Sequence, residues 1–136
     1  MVAAFILVLS VVAVMEFAVA QWRSMWIAVG SQPLSDGFQT ATGIAPSAIR
    51  AEDFDLLTRT SERLPFDGPQ QRNVWVREVR VYYKLMRAVD SLCAKSLPAA
   101  SSWAKNELVA CARYAAAVLD QRLNANLEYA ADVQAF

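Results

Sequence analysis

The sequence predicts an all-α protein: an N-terminal single transmembrane helix followed by a small three-helix domain with a long antiparallel helix hairpin. Three observations predict it. Residues 1–15 read MVAAFILVLSVVAVM without a charge, and the chain has no glycine after Gly68. In that glycine-free half, apolar residues recur at the three- and four-residue steps of a helix. A chain of 136 residues suits one small domain at most beside such a segment.

Residues 1–29 are assigned to a transmembrane anchor helix. At about 1.5 Å per residue, roughly 20 residues cross a hydrocarbon layer about 30 Å thick. Residues 2–21 therefore suffice, and Trp22, Arg23 and Trp26 fall at the far boundary, where aromatic and basic side chains are favoured as membrane-interface anchors. Two other readings compete. Ala18-Val19-Ala20 has the small-x-small form of a signal-peptide cleavage site, which would release a soluble exported protein after Ala20. Against it, no Lys or Arg precedes the apolar run, Glu16 sits close to the cut, and the run continues past it to Val29. A buried helix of a soluble protein would leave only about 90 residues to wrap a long apolar rod. The basic residue adjoining the span is Arg23, on its C-terminal side, which places the N-terminus outside and the helical domain in the cytoplasm. Both cysteines would then be free thiols.

Glu16 is the unusual residue of this segment, because an ionisable group costs about 2.5–3.5 kcal/mol at mid-span. On a helix, Val2, Ile6, Leu9, Ala13, Glu16, Ala20 and Arg23 share one face, and the small residues beside Glu16 admit a second helix. Ala13, Glu16 and Ala20 are thus the expected intramembrane partner contact. The plainer alternative has Glu16 near the interface, reaching toward Arg23.

Residues 30–50 hold three glycines, two prolines and several hydroxyl residues without a sustained helical period, and read as a loop or linker. The three-helix domain spans 51–136. Glu52, Asp53 and Asp55 stand in a first turn, where they favour the helix dipole, and Phe54, Leu57 and Leu64 form a short inner stripe, so a helix is expected over 51–63. It should stop before Pro65, with Phe66-Asp67-Gly68-Pro69 as a turn. Residues 70–96 carry strand-favouring Val, Trp and Tyr, but periodicity decides for helix: Trp75, Val79, Tyr82, Met86, Val89 and Cys93 recur at steps of four and three, and Arg77, Arg80, Lys84 and Arg87 follow another face. Pro98 breaks the chain, and Ser102 is the expected N-cap of a helix from Trp103 to about Val133, with Leu108, Cys111, Ala115, Leu119 and Leu123 facing inward. Its alanines, opposite Tyr82, Tyr83 and Met86, permit close packing.

The chemistry on offer is narrow. There is no histidine, so the side chain most used for acid–base work and zinc ligation is missing. Lys plus Arg equal Asp plus Glu at 13 each, which argues against nucleic acid as a partner. The neutrality hides an asymmetry, with residues 1–69 at net −3 and residues 70–136 at +3. Cys93 and Cys111, differing in height across a hairpin, are expected to stay unpaired. The basic stripe Arg77, Arg80, Lys84 and Arg87 is a solvated face, a partner for Glu52, Asp53 and Asp55, or a lipid-headgroup contact. No nucleotide, nucleophile or metal motif is present, so the expectation is no enzyme and no cofactor. The expected role is interaction: an accessory or assembly subunit of a membrane complex, touching the lipid bilayer and another membrane protein or a second copy of itself. The alternative is the exported soluble protein, binding a small apolar ligand between its helices.

Overall fold

A computed structural model describes residues 1–64 and 74–136, with side chains at 74 and 75 excepted. These residues form five helices: α1 (Val2–Gly30), α2 (Asp36–Thr42), α3 (Asp53–Arg63), α4 (Val74–Cys93) and α5 (Pro98–Gln134), with a 3-10 turn at Pro46–Ala48. There is no strand among the described residues. The turn expected at Phe66–Pro69, the start of the helix expected from 70, and the Trp75 side chain lie outside the described residues.

α5 is the axis. α1, α2, α3 and α4 each pack against it, and its inner stripe is the one its periodicity predicts, with Leu108, Cys111, Ala115 and Leu119 buried and Leu123 half-buried. Its small residues bring the neighbouring helices close, and the larger side chains come from α3 and α4. Phe54 stacks on Tyr83 with ring centres 4.1 Å apart, and the Tyr83 hydroxyl donates to the Ala51 carbonyl at 2.9 Å. Val79 and Met86 of α4 are buried as their spacing implies.

Three local differences from the sequence reading have simple causes. Pro98 does not interrupt a connection; it occupies the first turn of α5, where its missing N–H would be unbonded anyway, so the helix starts five residues before Trp103 and Ser102 is not its cap. Within 30–50 the chain makes α2, seven residues long and too short to show a period. Gly43 closes it at φ +69°, a left-handed conformation suited to glycine. Phe38 of α2 and Ile49 beyond it are buried in the same core as Trp26 of α1, so the segments read as linker and anchor both contribute to that core.

Candidate functional site

Aromatic, charged and close backbone contacts converge at the junction where α1 meets α5 and α4. α1 is continuous from Val2 to Gly30, yet every residue from 1 to 21 is exposed and the packed positions begin at Trp22. Trp22, Trp26 and Gly30, four residues apart, lie on one helical face. Gly30 lets the end of α1 approach the middle of α5 closely: a Cβ there would stand 3.0 Å from the Tyr114 backbone nitrogen and 3.3 Å from its Cα. Trp26, 2% exposed, is wedged between Tyr82 and Tyr114, with ring centres at 5.7 and 6.1 Å in edge-on geometry, and Trp22 completes the cluster 5.7 Å from Tyr82.

Beside the aromatic rings lies a charged lock. Arg23 Nε donates to Glu107 Oε2 at 2.9 Å and its Nη2 engages Glu107 Oε1, a two-pronged pair, while the Tyr82 hydroxyl donates to Oε2 at 2.8 Å. Glu107 is 3% exposed. Burial alone would push its carboxyl up, but the Arg23 and Tyr82 donors outweigh this and hold it below the usual carboxylate range. Burial, reinforced by the adjacent carboxylate, pushes the Tyr82 hydroxyl upward, so it stays a neutral donor. With both oxygens occupied by donors, Glu107 serves as a clamp between α1, α4 and α5.

A second polar contact secures the connection after α1. Asp120 of α5 accepts the Ser35 backbone N–H at 3.1 Å and also takes the Ser35 hydroxyl. On the far side, buried Arg122 donates to the Ser61 carbonyl at the end of α3.

The residues singled out in the sequence are distributed as follows. Ala13, Glu16 and Ala20 are exposed on the free part of α1. Trp22, Arg23 and Trp26 turn toward the helical core, where Arg23 is engaged by Glu107 rather than reaching back to Glu16. Arg77, Lys84 and Arg87 are exposed; Arg80 pairs with Glu62, at the opposite end of α3 from Glu52, Asp53 and Asp55. Asp53 instead accepts the Arg50 backbone N–H at 2.8 Å at the start of α3. Cys93 and Cys111 are free thiols, and burial pushes the Cys111 thiol up to about 12.

Glu107 is not among the residues that the sequence singled out. A signal was there: Glu107 lies one turn before Cys111 on the inner stripe of α5, an ionisable group at a position that must be buried. Among the described residues no three cysteine or acidic side chains converge as a metal site would need. A crevice lined by Phe54, Thr58, Ser61, Val79, Tyr114 and Val118 encloses about 10 Å³, the room of about one water. No protein family, no curated protein and no solved structure matches the chain.

Proposed function

We propose that the chain is a single-pass, membrane-anchored helical interaction protein, an accessory or assembly subunit of a membrane complex. The helical domain lies on the cytoplasmic side and the N-terminus outside. The observation that carries this reading is the exposure of residues 1–21, in a helix long and apolar enough to cross a bilayer, none of whose most apolar window is buried within the chain. So large an apolar surface calls for lipid or another helix. Behind it, α4 and α5 form the antiparallel hairpin of the domain, a reading supported by contacts that step in opposite directions along the two helices, Tyr82 with Glu107 and Asp90 with Ser101.

Within the span, Glu16 and the small residues Ala13 and Ala20 form the contact to the partner helix, from another membrane protein or a second copy. Replacing Glu16 by Gln tests charge, and Glu16→Leu removes polarity altogether. The leucine variant should weaken the complex recovered in mild detergent by about 0.6–2 kcal/mol, the range of interhelical polar contacts in membranes. Wild-type recovery of partners by both variants would remove Glu16 from the interface.

One observation favours a second reading. The boundary between exposed and packed residues of α1 falls one residue after Ala18-Val19-Ala20, so cleavage after Ala20 would discard all of the exposed part but Gln21 and keep the packed part. The intact mass of the mature protein separates the two, and retention of residues 1–20 in carbonate-washed membranes supports the anchor.

A further inference from the structure

We infer that the tip formed by the end of α4 and the start of α5 is a second membrane contact, seated in the headgroup layer of the leaflet from which α1 emerges. This rests on the membrane-spanning reading of α1 and adds to it a site elsewhere in the chain. The first observation is directional. Arg23 meets Glu107, and Gly30, seven residues on, meets Tyr114, seven residues on. α1 and α5 therefore run the same way along their contact, and the chain keeps that direction as Ser35 reaches Asp120. Everything before Glu107 in α5 consequently points to the end of the molecule from which residues 2–21 of α1 project.

The second observation is reach. From Glu107 back to Pro98, α5 extends about 13 Å at about 1.5 Å per residue, whereas the apolar run of α1 begins only about 3 Å before Arg23 on the same scale. The exposure of residues 1–21 shows that the helices diverge, which shortens the reach toward the bilayer. A segment so placed meets the zone about 5–10 Å deep in which interfacial apolar groups lodge.

The third observation is what the tip carries. Leu92 is 78% exposed, Leu97 59% and Trp103 48%, three large apolar side chains on either side of the α4–α5 connection. Exposed Lys95 and Lys105 flank them, and Asp90, the carboxylate at this end, is occupied by the Ser101 hydroxyl. Leucines with a tryptophan among lysines match an anionic lipid surface, apolar groups below and cations at headgroup level.

The test uses the full chain in nanodiscs of phosphatidylcholine and phosphatidylglycerol, with Cys93→Ser to remove the accessible thiol. Single nitroxide labels are placed through Leu97→Cys at the tip, Leu127→Cys at the opposite end of α5 and Leu9→Cys in the span. Each label is read for collision with oxygen, which concentrates in lipid, and with a neutral water-soluble nickel chelate. The tip label should fall between the two, below the oxygen preference of Leu9 at mid-span but favouring oxygen severalfold over the ratio at Leu127. A Leu9 label in lipid with a Leu97 ratio equal to that of Leu127 overturns the tip contact alone. A Leu97 label shielded from both reagents also overturns it and assigns the tip to a protein partner. A Leu9 label that favours the nickel chelate overturns the span and the tip together.

Discussion

The two parts of α1 make an instructive pair. Residues 2–21 and 22–30 belong to one unbroken helix. The first part is apolar on nearly every side, so it has no face to offer α5 and lies wholly exposed. The second is less apolar, with Trp22, Arg23, Trp26 and Gly30, yet it is the part that packs, because two large rings, a glycine and a guanidinium match a tyrosine pair, a close backbone and a buried carboxylate. Apolar content marks a segment as unsuited to water; a patterned face of complementary size and charge decides whether the protein itself covers it.

The largest expected contrast is therefore between equivalent truncations in the two parts. Trp26→Ala should destabilise the helical core by about 3–5 kcal/mol, the usual cost of emptying a buried aromatic site. Leu9→Ala should change it by no more than about 0.5 kcal/mol. Denaturant unfolding in mild detergent, followed by tyrosine and tryptophan fluorescence, measures both, and equal effects would erase the division.

Next comes the lock. Arg23→Met leaves Glu107 buried without its main counter-charge and should cost about 2–4 kcal/mol, below the full range for a broken buried pair because Tyr82 still donates and Arg23 is itself half-exposed. The same variant should reverse an acid response. In the native protein Glu107 lies below its ordinary value of 4.5, so its stabilising contribution is present above that value and is lost as pH falls through the depressed one. Without Arg23, burial raises Glu107, and the variant should gain stability as pH falls from neutrality toward about pH 4, where protonation removes the unpaired charge. Unfolding curves along a pH series give the sign of each slope.

The smallest effect is chemical. In the folded protein a thiol reagent should titrate half-buried Cys93 and spare Cys111, which is fully buried and pushed up to about 12. Unfolding should expose a second equivalent, and two fast equivalents in the native state would show that the packing around Cys111 opens readily.

Much of the fold was legible because it rests on periodicity. The inner stripes of α3, α4 and α5 were readable from Phe54 and Leu57, from Val79 and Met86, and from Leu108 to Leu119, since each repeats over several turns. α2 was not, because a helix of seven residues with Phe38 as its buried side chain carries no repeat, and its burial is decided by packing against α5. The start of α5 was misplaced because proline is compatible with a first turn as well as with a break. The lock was hidden for a different reason: Arg23 and Glu107 are 84 residues apart, and each alone resembles a surface charge. Their pairing depends on which helices meet, and nothing local to either residue records it.

That separation has a consequence for how the protein is made. On the membrane-spanning reading α1 enters the bilayer first, but Glu107 is synthesised 84 residues after Arg23, a wait of about 4–17 s at roughly 5–20 residues per second. For that interval Trp22, Arg23 and Trp26 have no core to enter. The lipid–water boundary is the environment that tolerates two indoles and a guanidinium together, so the nascent chain can rest these residues there, shielded from premature aggregation, until α5 arrives and draws them off the membrane into the finished interior.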